Sequence, residues 1–214
     1  MPVKVVTFSV QQGSEGHRIA QLVGQKLGFP YYDNEIVSEA ASIAGVSPET
    51  VAAAERWPTF IERMLERLAM TTVVSEGVMP APPSTSPSTM MMTSSDYRAI
   101  IEQVVSNLAE RGGCVIVGHA GQAVLKNTPA VFKVLVSGSP ERRAKRIMEE
   151  RELNEKDALA YVKSSDSQRI DFFKHVYSQD WLDSSNYDLT LNTDDIDVET
   201  AVSMVLTGIE STTE

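Results

Sequence analysis

The sequence is short of several things, and each shortage closes a route. One cysteine, Cys114, stands in 214 residues, so no internal disulfide can form. It lies in the apolar run CVIVG and reads as a buried strand position, because free cysteine behaves as a small hydrophobe. No stretch approaches the roughly 18 consecutive apolar residues of a membrane span. The first residues lack the charged start, apolar centre and small-residue cleavage site of a secretory signal. A cytoplasmic location without membrane contact is the expectation. Positive charge is also scarce: 19 lysines and arginines against 29 acids leave a formal net charge of −10. Such a chain repels polyanions, so nucleic acid is not an expected partner, although local arginines can still hold a small anion. The three histidines, His17, His119 and His175, show no paired metal-ligand spacing, so no protein metal site is expected. His175 sits beside Phe172, Phe173 and Tyr177 and reads as packing.

What is present suits one domain with a modest insertion: a 42% hydrophobic chain of this length can bury a sizeable core. Val3 to Val10 reads as a strand and Gly16 to Leu27 as a helix stopped by Gly28 and Pro30. Further helices are expected after Asp33, after Ser47, from Thr59 to about Val74, and from Asp96 to the glycines at 112 and 113. Residues 77–95 are rich in proline, hydroxyls and methionine (Met90 to Met92) and read as a loop. The second half alternates: strands at CVIVG, VFKVLVS and YDLTLNT, helices at GQAVLK, Pro140 to Arg151, Asn154 to about Tyr177, and Val198 to Ile209. The pattern predicts an α/β fold with a parallel sheet of about five strands and helices on both faces.

The stretch GSEGHRIA at residues 13–20 raises the functional question. A glycine turn between a strand and a helix presents free N–H groups and a positive dipole end to an anion. The usual phosphate loop, G-x-x-x-x-G-K-S/T, is not matched. Aligned on Gly16, the chain has Gln11 at the first glycine, His17 at the lysine and Arg18 at the hydroxyl. The turn by itself leaves phosphate binding and a plain tight turn equally open.

The order of segments along nearly the whole chain resembles the cytidylate-kinase-like branch of the nucleoside monophosphate kinases. SVQQGSEGHRIA, Ser9 to Ala20, resembles that family's S-R-x-x-G-S-G-G-R-E-I-A turn. GFPYYDNEI resembles its segment after the first helix, and CVIVGHAG its V-I-V-G-R-G strand end. SPERRAKRIMEER resembles its arginine-bearing lid helix, DSQRIDFFK its D-x-x-R-x-x-Y-Y/F segment, and DWLDSSNYDLTLNT its W-x-x-x-x-x-Y-D-L-x-x-N-T ending. Where the family carries arginine this chain has Val10, His17 and His119, and Glu15 stands at a family glycine.

The resemblance implies a single kinase-like domain over residues 1–214, an acceptor-binding helical insertion at 33–111 and a lid-like region at 141–178. It implies transfer of the γ-phosphoryl group of ATP to CMP or a related monophosphate. Gly13, Ser14 and Gly16 would cradle donor phosphates faced by His17 and Arg18, with Mg2+ held mainly through water. Arg142, Arg146 and Arg151 would be lid cations, or the helix face is merely solvated. Asp33, His119, Asp166 and Arg169 would meet the acceptor. Each has a plainer reading: helix cap for Asp33, helix start for His119, and a surface ion pair for Asp166 with Arg169. The lost arginines keep open a kinase fold without turnover that holds a nucleotide or another subunit, and a homodimer is compatible with either. A kinase for another small phosphate acceptor is the third reading, since fold does not fix substrate.

Overall fold

A computed structural model describes residues 2–54 and 94–212. The expected helix at 59–74 and most of the loop at 77–95 lie outside them; Ser94 and Ser95 already belong to a helix. In chain order the elements are β1 (Val5–Val10), α1 (Gly16–Leu27), β2 (Tyr31–Tyr32), α2 (Asn34–Ala44), α3 (Pro48–Ala54) and α4 (Ser94–Arg111). They continue with β3 (Cys114–Val117), α5 (Gly121–Val124), β4 (Val131–Ser137), α6 (Pro140–Arg151), α7 (Glu155–Val176), a 3-10 turn (Ser184–Asn186), β5 (Leu189–Asn192) and α8 (Val198–Ser211).

The five strands form one parallel sheet in the order β2-β3-β1-β4-β5. All six residues of β1 are buried, as expected of a strand covered on both faces. Alternate side chains divide between two cores. Val6, Phe8 and Val10 meet Ile19, Ala20 and Val23 of α1 and Val202 and Val205 of α8. Val5, Cys114 and Ile116 meet Ile36 and Ala40 of α2 and Ile101, Val104 and Val105 of α4. Beyond the sheet, α6 and α7 pair through Ala144, Ile147, Ala158 and Val162. A smaller aromatic cluster joins Phe172, Phe173 and Trp181 to Ala120.

Local signals set the element ends. Ser139 caps α6, with Pro140 behind it; Asn154 caps α7 and Asp197 caps α8, each accepting from an N–H three residues on. The order of the strands matters for function. β1 is central, flanked by β3 and β4, so the loop after β1 opens at the carboxyl ends of the strands, where parallel sheets bind ligands.

Candidate active site

The loop after β1 is held from behind. Gln11 N–H donates to Val136 O (3.0 Å), and Gln11 Oε1 accepts from Gly138 N–H (3.2 Å), tying the loop to the end of β4. Ser14 is buried and its hydroxyl donates to Val136 O (3.2 Å), so it is spent on structure. Gly13 has φ +77°, and a Cβ there would stand 2.5 Å from the Arg143 carbonyl oxygen. Gly16 is covered by Val10, whose methyl would lie 2.6 Å from an added Cβ. Val10, at a family arginine position, thus packs the turn instead of charging it.

Helix α1 starts without a side-chain cap. Glu15 occupies the cap position with φ 62°, and the first intrahelical bond runs from Ile19 N–H to Glu15 O (3.0 Å). The N–H groups of residues 15 to 18 therefore have no partner within the helix, which is the arrangement that receives an anion. These features fit the phosphates of a nucleotide. For Mg2+ the fit is indirect: Arg18 stands where a metal-binding hydroxyl is usual, and among the described residues no cluster of three acids, histidines or cysteines offers a cage.

Two arginines of α6 grip the loop. Arg143, 1% exposed, donates from Nε to Gly138 O (2.8 Å) and from Nη1 to Gln12 O (3.2 Å), and pairs through both terminal nitrogens with both Asp166 oxygens. Arg146 donates from Nη1 to Gly13 O (3.1 Å) and Thr193 Oγ1 (3.2 Å), and from Nη2 to Thr193 O. Thr193 Oγ1 also lies 3.0 Å from Ser14 O.

On the other side of α1 lies a cavity of about 700 Å3. Its wall includes Gln12, His17, Asp33, His119, Arg151, Tyr161, Arg169 and Phe172. Asp33 sits between two imidazoles: Oδ2 is 3.4 Å from His17 Nδ1, and Oδ1 is 3.6 Å from His119 Nε2. The Tyr31 hydroxyl donates to Asp33 Oδ2 (3.4 Å) and lies 3.0 Å from His17 Nδ1. Burial alone would push the Asp33 carboxyl up, but bonds and charge from His119 and His17 together outweigh it and hold it well below the usual carboxylate range. Tyr31 moves the opposite way: burial, then the Asp33 charge, keeps its phenol protonated well past the ordinary range. A second, more open cavity of about 380 Å3 is lined by Glu15, Arg18, Arg146, Ile196, Asp197, Val198 and Glu199.

The structure sorts the residues singled out from sequence. His17, Asp33, His119, Arg151 and Arg169 share the large cavity, while Arg18 and Arg146 share the smaller one with Glu15. His17 and Arg18, expected together on the donor, thus diverge to opposite cavities. Asp33 takes the cap position of α2 but makes no side-chain cap bond. Both Asp166 oxygens meet Arg143, and the Arg169 guanidinium lies 5.3 Å over the Trp181 ring. Arg142 is 59% exposed, pairs with Asp195 at 3.3 Å and lines neither cavity. Gln11, Tyr31, Arg143 and Thr193 were missed. Arg143 had a signal, since it stands four residues before Ile147 and one before Ala144, inside the buried stripe of α6.

A parallel sheet with an anion-ready turn after its central strand and two cavities flanking the following helix defines a kinase-like α/β fold. The sequence profile of the cytidylate kinase-like family matches residues 5–195, and the chain belongs to that family. No protein of curated function matches the sequence. Among solved structures, an uncharacterized protein from Eubacterium ventriosum is similar at 20% identity and a TM-score of 0.69, with 97% of this chain and 99% of that one covered. A shikimate kinase from Bacteroides thetaiotaomicron (11% identity, TM-score 0.53, coverage 97% and 98%) shares the fold. So does a gluconokinase from Sinorhizobium meliloti (13%, 0.52, coverage 99% and 93%).

Proposed function

We propose that the protein transfers the γ-phosphoryl group of ATP to a small acceptor, and that CMP or a related nucleoside monophosphate is an acceptor. The observation that carries this reading is the uncapped start of α1, with Gly13 and Gly16 pressed against Arg143 and Val10. Donor phosphates lie on the N–H groups of residues 15 to 18, with the rest of the nucleotide toward Arg18 and Ile196. The acceptor lies in the large cavity against His17, Asp33, His119 and Arg169. Mg2+, when bound with the donor, would supply neutralising charge at its phosphates; the protein contributes orientation and charge through the turn at residues 13 to 18. Arg143 and Arg146 hold the loop in shape through its carbonyls, and Arg151 and Arg169 supply cations to the acceptor side. The protein works in the cytoplasm with small nucleotides as partners.

The test is incubation with ATP, Mg2+ and each nucleoside monophosphate in turn, with diphosphate formation as the readout; no diphosphate from any of them rejects the monophosphate part. A second reading is favoured by Glu15, whose carboxylate stands at the head of α1 beside the donor cavity. It is a fold that holds a nucleotide or a second subunit without turnover. ATP binding by calorimetry, without product in the first assay, is its signature.

A further inference from the structure

The large cavity brings a carboxylate, Asp33, to the head of α1 between His17 and His119. Asp33 lies within 3.4 Å of His17, the second residue of that helix, so it is one side chain away from where donor phosphates sit under the reading above. We propose that this cavity has a further activity, phosphorylating a hydroxyl group on a small anionic acceptor, with Asp33 as the catalytic residue that receives the hydroxyl hydrogen. This rests on the phosphotransferase reading and adds an alcohol to the acceptors.

The chemistry follows from what each group can offer. An ionised carboxylate only accepts hydrogen bonds, and a hydroxyl brings the hydrogen it needs; a phosphate dianion brings lone pairs and a like charge. With the hydroxyl on Asp33, an oxygen lone pair attacks the γ-phosphorus of ATP. A new phosphorus–oxygen bond forms, and the bond from that phosphorus to the β–γ bridging oxygen breaks, its electron pair leaving with ADP. The hydroxyl proton passes to Asp33 and from there to water. The products are a phosphate monoester, ADP and one proton. Bond breaking runs ahead of bond making in phosphoryl transfer, so orientation by a weakly basic carboxylate suffices.

The surroundings support this role. His119 belongs to three consecutive left-handed residues at the end of β3, Gly118 (φ 76°), His119 (φ 50°) and Ala120 (φ 52°). Such geometry is costly outside glycine and aims the imidazole at Asp33. Tyr31 bonds to both Asp33 and His17, which fixes the open side of the cluster. The acid group of the acceptor meets Arg151 and Arg169, which line the same cavity. Each guanidinium rests on a ring, 4.5 Å over Tyr161 and 5.3 Å over Trp181, and a guanidinium matches a carboxylate or phosphate in charge and shape. The substrate class is a hydroxylated carboxylic acid or sugar phosphate.

The test supplies the whole protein with ATP and Mg2+ and, separately, gluconate, shikimate, ribose 5-phosphate and CMP. Phosphorus NMR distinguishes a new monoester from a new diphosphate. A monoester is expected from at least one hydroxylated anion, with Asp33→Asn slowing its formation by about 100- to 10,000-fold and Asp33→Glu keeping part of the rate. Without ATP, that anion is expected to bind about tenfold more weakly to Asp33→Asn in an NMR titration, as loss of a charged hydrogen bond predicts. Diphosphate from CMP with no monoester from any compound overturns this proposal and leaves the nucleotide kinase standing. Monoester at full rate in Asp33→Asn overturns the role of Asp33. No transfer to any acceptor overturns both readings.

Discussion

Asp33 is governed by its neighbours more than by its depth. Its pKa is depressed, so it contributes stability in full above the ordinary carboxylate value of about 3.9 and loses it as pH falls below that. In urea unfolding, the stability gap between the native chain and Asp33→Asn is expected to be widest above about pH 5 and to narrow below about pH 4. A gap that widens on acidification contradicts the direction of the shift. Glu15 makes a second case. Glycine at that left-handed position removes about 1–2 kcal/mol of strain, offset by about 0.4–1 kcal/mol of unfolded-chain entropy that opposes folding. Glu15→Gly is therefore expected to raise stability by up to about 1 kcal/mol and to tighten ATP binding, because a carboxylate leaves the head of α1. At this scale the sequence was partly legible. Cys114 is buried, as its apolar run indicated, and burial lifts its thiol to about 11. The partners of Asp33 were not legible, because residues 17, 33 and 119 meet only once β1 and β3 pair.

The tie between the loop after β1 and the α6–α7 hairpin depends on two side chains. Arg143 bridges Gln12 O, Gly138 O and Asp166, and its partner is 16% exposed. Removing one member of a buried pair strands the other charge, so Arg143→Met is expected to cost about 3–5 kcal/mol in denaturant unfolding. Adding Asp166→Asn to Arg143→Met is expected to recover part of that loss; strict additivity would show that the two do not interact. Element positions were readable because the periodicity of strands and helices is local: β4 and α6 fall on VFKVLVS and Pro140 to Arg151. The inward turn of Arg143 was not read, since arginine is almost never fully buried unless it is paired. Its partners lie 5 to 131 residues away, and the carboxylate that pairs with it lies 23 away.

The whole molecule sets a negative protein to hold negative ligands. With a net charge of −10, long-range attraction does not gather nucleotide, so binding relies on the short-range array at the head of α1. ATP at about a hundred times its Kd is expected to add about 2.7 kcal/mol, which moves Tm by about 5–10 °C in a chain of this size. A thermal shift assay in which ATP leaves Tm unchanged refutes an anion seat there. No helix among the described residues is long and apolar enough to cross a membrane. The hold of Arg143 and Arg146 on the carbonyls of residues 12 and 13 has one more consequence. A rocking hairpin has to drag the turn with it, like a lever bolted to its fulcrum. Any factor by which a filled turn sharpens the grip on the second substrate is then returned, undiminished, in the other direction.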